Sequence, residues 1–321
     1  MSGKIKLLIA GGTISMEEQE GKGVVTSDTD IFASSGLSQK KIFEPLLPSP
    51  HITPHEMMHI RSEVLHYIGE GYEGIIVTHG TDILEETAYF LDLTLDTDVP
   101  VVLIGAMRSQ GIGFDGIYNL HNAVKVASCA QARGLGVLVV MNDEIHAARD
   151  VTKTHSSNVA TFQSPQLGPL GVVTAGNVYM YHKLLNHRRY PLSASCDKLT
   201  GNVILLKAYA GMDSQIFDAL AQTEVHGLVV EALGQGNLPP AAIPGLEKFL
   251  NKGIPVVLVS RCLSGVPMGV YGYTGGGKRL QDAGVIFTNA VNGPKARLKL
   301  LVALELSKTR AEIETMFAYG N

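Results

Sequence analysis

Two apolar segments, far apart in the chain, each end in a glycine followed directly by a threonine. They are residues 4–14 (KIKLLIAGGTI) and residues 74–82 (GIIVTHGTD). Short runs of Ile, Leu and Val that break at glycine are typical of buried strands in a parallel sheet. An open parallel sheet binds its ligand at the carboxyl ends of its strands. We therefore expect Thr13 and Thr81, with Asp82 beside it, to reach one crevice.

The first part of the chain alternates strand-like and helix-like segments, which predicts an α/β fold with a parallel sheet. We assign this N-terminal parallel-sheet α/β domain to residues 1–183. Its expected strands are 5–10, 74–78, 101–105 and 136–141, and its expected helices are 82–95 and 116–132.

A second domain is expected because 321 residues exceed the usual size of one domain. Residues 184–201 are polar, basic and without a persistent period, and we predict a linker there. A smaller C-terminal α/β domain should then span residues 202–321. Its expected strands are 203–206, 228–230 and 256–260, and its expected helices are 215–221, 244–251, 295–306 and 310–317.

Charge and cysteine content argue against several classes of protein. The net charge is -4 and the basic residues are scattered, so neither a nucleic-acid nor an anionic membrane surface is indicated. The three cysteines, Cys129, Cys196 and Cys262, show no metal-type spacing, and their usage favours a reducing compartment. The apolar run at 5–10 is too short for a signal peptide. We expect a cytoplasmic protein that does not interact with membranes.

Thr13 is the first candidate for chemistry. Gly11 and Gly12 allow a sharp turn that leaves its hydroxyl exposed at the end of a strand. A threonine hydroxyl becomes a useful nucleophile only when another group removes its proton. A plain turn or capping threonine remains an alternative at this point.

Thr81 and Asp82 are the second candidate, at the start of an expected helix. They can be an N-cap and a first-turn acid, and a helix start also offers N–H groups to a carboxylate or an oxyanion. Lys153, in a polar run after a predicted strand, could exchange a proton with them, although spacing alone does not distinguish it from a surface lysine. His79 is either a packing residue or a catalytic one. Residues 15–30 are polar and form either a flap or an exposed connector.

Two short motif matches point elsewhere. Residues 272–279 (GYTGGGKR) satisfy the core of a phosphate-binding loop, but Arg279 stands where Ser or Thr should follow the lysine. His55, Glu56 and His59 satisfy the H-E-x-x-H pattern of zinc hydrolases, with Pro54 suited to the first helical position. Eleven histidines make such a match easy to obtain by chance. We expect an ordinary loop and an ordinary helix start.

Taken together, several segments resemble the bacterial-type L-asparaginase family, which includes the glutaminase-asparaginases. The similarity extends over nearly the whole chain in the expected order. The segments that carry it are 11–14 (GGTI), 78–82 (THGTD), 85–88 (EETA), 149–153 (RDVTK), 109–123, 234–239 and 260–265.

The resemblance implies a two-domain α/β enzyme that forms homodimers or homotetramers. Such enzymes hydrolyse the side-chain amide of asparagine, and often of glutamine, without a metal or cofactor. By motif, Thr13 corresponds to the nucleophile that forms an acyl-enzyme. Thr81, Asp82 and Lys153 correspond to a second, triad-like set, in which Asp82 also holds the substrate's α-amino group.

The resemblance also implies binding groups for the rest of the substrate. Ser49 aligns with the family's carboxylate-binding serine through the residues at 52–54 (ITP). Backbone N–H groups near Thr13, Gly80 and Ala106 are the candidates for an oxyanion hole.

Three departures from the family pattern leave alternatives open. Residues 15–30 contain no tyrosine, where many members carry a lid tyrosine, and Pro50 follows the binding serine in place of a polar residue. The acidic residue that secreted members receive from a neighbouring subunit has no clear counterpart around 270–275. A related amidase or glutaminase with another preference, or a catalytically degenerate amino-acid sensor, would also fit these features.

Overall fold

The computed structural model describes residues 4–19, 21–26, 32, 37, 39–185, 187–288, 291–306 and 308–318. Contacts between Cα atoms divide the chain into two compact units, residues 1–198 and 199–321. Each unit has a hydrophobic core of its own, formed by the side chains between its sheet and its helices.

The first unit is organised around one eight-stranded sheet. The strands of this unit, in chain order, are β1 (Ile5–Gly11), β2 (Met16–Gln19), β3 (Gly23–Thr26), β4 (Lys40–Leu47), β5 (Gly74–Thr78), β6 (Val101–Ile104), β7 (Val137–Met141), β8 (Glu144–Ala147), β9 (Thr152–Lys153), β10 (Phe162–Gln163), β11 (Gly171–Thr174) and β12 (Asn177–Met180). The order across the large sheet is β12-β11-β8-β7-β6-β5-β1-β4. Its central strands β1, β5, β6 and β7 are buried at every position, as expected for a sheet covered on both faces.

Five neighbouring strands of this sheet, from β7 to β4, are parallel, and the other three are antiparallel. The change of direction comes from the turn at Asn142 and Asp143, where both residues have positive φ. Two such residues make the tight turn that joins antiparallel strands of a hairpin. The predicted α/β class is confirmed, and the sheet is mixed because this hairpin extends it. At the opposite edge, β4 contains Pro45.

Three helices belong to the first unit: α1 (Pro54–Gly69), α2 (Leu84–Thr94) and α3 (Gly116–Ala127). Helix α1 begins with a capping box, in which Thr53 and Glu56 satisfy each other's backbone N–H groups. Helix α2 begins at Leu84, so Thr81 does not cap it, contrary to the simpler interpretation of the sequence.

The second unit contains a parallel sheet in the order β13-β14-β15-β16. Its strands are β13 (Val203–Lys207), β14 (Gly227–Ala232), β15 (Val256–Ser260) and β16 (Ile286–Phe287), and its helices are α4 (Gln215–Leu220), α5 (Ile243–Asn251), α6 (Gly277–Asp282), α7 (Gly293–Glu305) and α8 (Arg310–Phe317). The loop that matches the phosphate-binding pattern follows no strand. Arg279 Nε donates to the carbonyl of Gly272 at 2.7 Å, which ties that loop to its own helix.

The segment after residue 186 packs on the first unit. Arg61 of α1 is buried and donates to the carbonyls of Leu192 at 2.5 Å and Ser193 at 3.4 Å. Burial lowers the pKa of this guanidinium from its ordinary value. The linker at 184–201 stays a prediction. Among the described residues no helix is both long and apolar enough to cross a bilayer.

Asp92 joins three parts of the first unit. Its buried carboxylate accepts the backbone N–H of Val137 at 2.8 Å and contacts His187 Nε2 at 2.9 Å. We expect Asp92→Ala to lower the free energy of unfolding by about 2–4 kcal/mol, because it leaves buried partners unpaired. Urea denaturation of the variant provides the measurement.

Asp96→Ala is the matched control, because the Asp96 side chain is 79% exposed and lies 3.9 Å from Arg189. Its loss should change stability by less than about 1 kcal/mol. Equal urea midpoints for the two variants would contradict the role assigned to Asp92.

Candidate active site

The loops that follow β1 and β5 are in direct backbone contact. Gly12 has a φ of +89°, and a Cβ atom at this position would lie 2.3 Å from the Cα of Gly80. No side chain fits such a space, so both the conformation and the packing require glycine. Thr13 and Thr81 follow these two glycines directly. The two threonine-bearing loops are therefore adjacent.

The loops after β4 and β6 pack on the same place. A Cβ atom at Gly80 would lie 2.6 Å from Ser49 Oγ, and one at Gly105 would lie 2.9 Å from Thr81 Cγ2. Ser49 begins a single 3-10 turn after β4, and Ala106 follows Gly105. The carboxyl ends of β6, β5, β1 and β4, which are consecutive in the sheet, thus meet around one crevice.

A polar cluster surrounds Thr81 in this crevice. Lys153 Nζ donates to Thr81 Oγ1 at 3.0 Å and contacts Asp82 Oδ1 at 2.9 Å. Ser49 Oγ accepts the backbone N–H of Asp82 at 3.3 Å and lies 3.4 Å from Asp82 Oδ2. Thr81 is buried, whereas the Asp82 side chain is 57% exposed. The Asp82 carboxylate is therefore accessible to solvent, whereas the Thr81 hydroxyl is buried beside the Lys153 amine.

Lys153 is held by backbone contacts on two sides. Its strand, β9, pairs with β10, where Phe162 lies opposite Lys153. Its own N–H donates to Glu85 Oε2 at 2.5 Å, from the first turn of α2. Glu85 is buried. In the sequence Glu85 appeared only within the segment 85–88 that resembles the family, and its contact with Lys153 depends on tertiary packing.

Thr13 begins a 3-10 turn and lines an open cleft of about 720 Å³. Within the described part of the chain, no hydrogen bond to the Thr13 side chain is formed. Polar residues of the hairpin β2–β3 and of the loop after β6 line the other sides of the cleft, including Glu18, Arg108 and Gln110. The cleft offers a substrate both a cation and a carboxylate.

The hairpin β2–β3 is formed by most of the polar stretch 15–30. Gln110 donates its N–H to the carbonyl of Met16 at 3.2 Å, which joins the hairpin to the loop after β6. Of the predicted flap or connector, residue 20 and residues 27–30 lie outside the described residues.

His79 is a packing histidine in this arrangement. It is fully buried, with Nδ1 2.8 Å from the carbonyl of Gly80 and Nε2 2.9 Å from Thr87 Oγ1. Burial lowers the pKa of His79 to about 4, although the contact with Gly80 opposes this shift. The neutral ring joins the loop of Thr81 to α2.

The H-E-x-x-H match at the start of α1 has a structural explanation. Glu56 accepts the N–H and the hydroxyl of Thr53 at 2.7 and 2.6 Å. Burial raises the pKa of Glu56, but the hydrogen bonds from Thr53 and His55 outweigh it and lower the value to about 2. In the chain as described, no three His, Cys, Asp or Glu side chains are grouped to hold a metal ion. The carboxylate serves the helix cap.

The contact between Gly12 and Gly80 gives a test with a matched pair of glycines. Gly12→Ala should destabilise the protein by more than about 3 kcal/mol, because a methyl group would overlap with backbone. Gly21 also has positive φ but has nothing within 4 Å of a Cβ atom, so Gly21→Ala should cost only about 1–2 kcal/mol. Urea midpoints of the two variants provide the comparison, and similar values would contradict the close approach.

The depressed pKa of His79 gives a second test, on pH. The unfolded histidine binds a proton near pH 6.5 and the folded one only near pH 4. This contribution to stability is fully present above pH 6.5 and is lost as the pH falls toward 4. The free energy of unfolding, measured by denaturation between pH 4 and 7, should therefore fall less steeply in His79→Gln. Identical slopes in the two proteins would rule out His79 as the source.

Both units match domains of the same protein family. Residues 4–186 match the family described as asparaginase, N-terminal, and residues 202–317 match the glutaminase/asparaginase C-terminal domain. A probable L-asparaginase of Deinococcus radiodurans is 39% identical and covers 99% of this chain and 98% of its own length. A glutaminase-asparaginase of Pseudomonas fluorescens is 31% identical over 98% of this chain and 89% of its own.

A solved structure agrees with these sequence relatives. The crystal structure of a probable cytoplasmic L-asparaginase from Campylobacter jejuni superimposes with a TM-score of 0.87 at 30% identity. It covers 98% of this chain, which in turn covers 99% of that one. The resemblance predicted from the sequence is confirmed, and this chain belongs to the bacterial asparaginase family.

Proposed function

We propose that this chain is an amidohydrolase that converts L-asparagine and water into L-aspartate and ammonia. The observation that carries the proposal is the contact of 3.0 Å between Lys153 Nζ and Thr81 Oγ1, beside the loop that bears Thr13. Membership of the family and the names of its relatives support the same activity.

Thr13 is the proposed nucleophile. Its hydroxyl faces no competing partner among the described residues, and it lines the open cleft where an amide can approach. The oxygen of Thr13 attacks the carbon of the side-chain amide, and the hydroxyl proton passes to the departing nitrogen. Ammonia leaves and an ester with Thr13 remains. Water then cleaves the ester, which releases aspartate and restores the hydroxyl.

Thr81, Lys153 and Asp82 form the proposed proton-transfer set. An amine within hydrogen-bonding distance of a hydroxyl can exchange a proton with it, and Asp82 compensates the charge of Lys153 at 2.9 Å. Burial of Thr81 strengthens these interactions relative to water. In this scheme Thr81 activates the attacking group or positions the water.

We assign binding of the substrate's α-ammonium and α-carboxylate groups to Asp82 and Ser49. The Asp82 carboxylate suits the substrate ammonium, and the Ser49 hydroxyl suits the carboxylate. Pro50 follows Ser49 and has no N–H to offer, so the hydroxyl carries more of this contact. Backbone N–H groups near Thr13, Gly80 and Ala106 are the proposed donors to the oxyanion.

A second candidate keeps the chemistry and changes the substrate. One relative is named a glutaminase-asparaginase. Glutamine or another amide is therefore the alternative substrate, and rates of ammonia release on a panel of amides would discriminate between them.

Self-association and location complete the proposal. The second unit exposes large apolar side chains that include Leu263, Val270 and Tyr273. Surfaces of this kind favour association, and we infer a homodimer or homotetramer, which light scattering would test. A cytoplasmic location is inferred because the related Campylobacter jejuni protein is described as a probable cytoplasmic L-asparaginase.

The nucleophile has a test with a neighbouring control. Thr13→Ala should lower kcat for ammonia release from L-asparagine by at least about a thousandfold, because no ester can form. Ser15 is two residues away, and its hydroxyl is buried without a partner among the described residues. Ser15→Ala should therefore retain kcat within about threefold.

The outcomes separate the candidates. Activity that survives in Thr13→Ala would show that another group is the nucleophile. Binding of L-aspartate by the wild-type protein without turnover of any amide would favour the amino-acid sensor.

A further inference from the structure

The loop after β6 has an unusual distribution of backbone hydrogen bonds. The Asp115 carboxylate accepts the N–H groups of Met107 at 3.1 Å and Arg108 at 3.0 Å. The Asn119 amide donates to the carbonyl of Gly105 at 3.0 Å and to Asp115 Oδ2 at 3.2 Å. Two side chains at the start of α3 thus satisfy backbone groups on both sides of Ala106.

Ala106 itself is left without such partners. It is fully buried, yet the backbone hydrogen bonds among the described residues include neither its N–H nor its carbonyl. Buried backbone groups in proteins are nearly always paired. In a trans peptide the carbonyl points opposite to the next N–H, so the Ala106 carbonyl faces away from Asp115. The Ala106 carbonyl is therefore available to a ligand in the crevice.

Asp115 makes these contacts instead of capping its own helix. It occupies the N-cap position of α3, where an aspartate usually accepts an N–H of its own helix. Here its side chain makes no capping hydrogen bond. Asn119 is fixed in turn, because its Oδ1 accepts the N–H of Asn142 at 3.1 Å. The pair joins the loop after β6 to the rigid end of the sheet.

We propose that Asp115 is a positioning residue for amide hydrolysis, acting through the N–H groups of Met107 and Arg108. It holds the peptide bond between Ala106 and Met107 so that the free carbonyl of Ala106 faces the amide of the substrate. The inference rests on the proposed function, because it requires that the side-chain amide of the substrate binds at Ala106. Asp115 does not touch the substrate in this scheme.

The test replaces the carboxylate with an amide. Asp115→Asn puts an NH₂ group against N–H donors, so we expect kcat for L-asparagine to fall by about 10- to 100-fold. KM should change less than about threefold, because Asp82 and Ser49 still bind the α-groups. Amide hydrogen exchange at Met107 and Arg108 should become at least about tenfold faster.

A matched control is an aspartate in the turn after β7 that contacts the same helix. Asn122 Nδ2 donates to Asp143 Oδ1 at 3.0 Å, and the side-chain hydrogen bonds between described residues join neither of the two to the loop after β6. Asp143 has positive φ, which asparagine also tolerates. Asp143→Asn should keep kcat, KM and the exchange rates at 107 and 108 within about twofold of the wild type.

The results distinguish this inference from the proposed function. Unchanged kcat in Asp115→Asn overturns the inference, and so does a loss of kcat with unchanged exchange at Met107 and Arg108. A wild-type protein that releases no ammonia overturns the proposed function, and the inference falls with it.

A second variant decides the case in which Asp115→Asn does not fold. Asn119→Ala removes the support of both Asp115 and the Gly105 carbonyl, and kcat should fall by about 3- to 10-fold. Full activity in that variant overturns the inference.

Discussion

The site depends on two backbones that approach closely where Gly12 meets Gly80. This approach joins the ends of β1 and β5, which are neighbours in the sheet. Ser49 packs on Gly80 from the third loop, and Gly105 packs on Thr81 from the fourth. A larger side chain at the central contact would separate the loops that bring the threonines together.

Around this contact, two acids hold the candidate site groups through the backbone. Glu85 accepts the N–H of Lys153 while the amine of the same residue reaches Thr81. Asp115 does the same for the loop that carries Ala106. Because main-chain groups are fixed by the sheet and the helices, these contacts locate side chains more precisely than surface ion pairs would.

Sequence patterns predicted the strands and loops that short local motifs specify. They did not predict the features that depend on contacts between residues far apart in the chain. The apolar runs before Gly11 and Gly80 indicated adjacent strand ends, and the order of the motifs indicated the family. The antiparallel strands beyond β7 were not predicted, because their direction depends on two left-handed residues at Asn142 and Asp143. The role of Asp115 was also missed, since an acid at a helix start normally serves that helix.

The edges of the large sheet constrain how copies of this chain can associate. Strand β4 is one edge and contains Pro45, which has no N–H to donate, and the other edge, β12, has only four residues. Neither edge offers the long unbroken ladder that another strand would need. Pairing of copies edge to edge through this sheet is therefore disfavoured, and the same features limit amyloid-like stacking at these two strands.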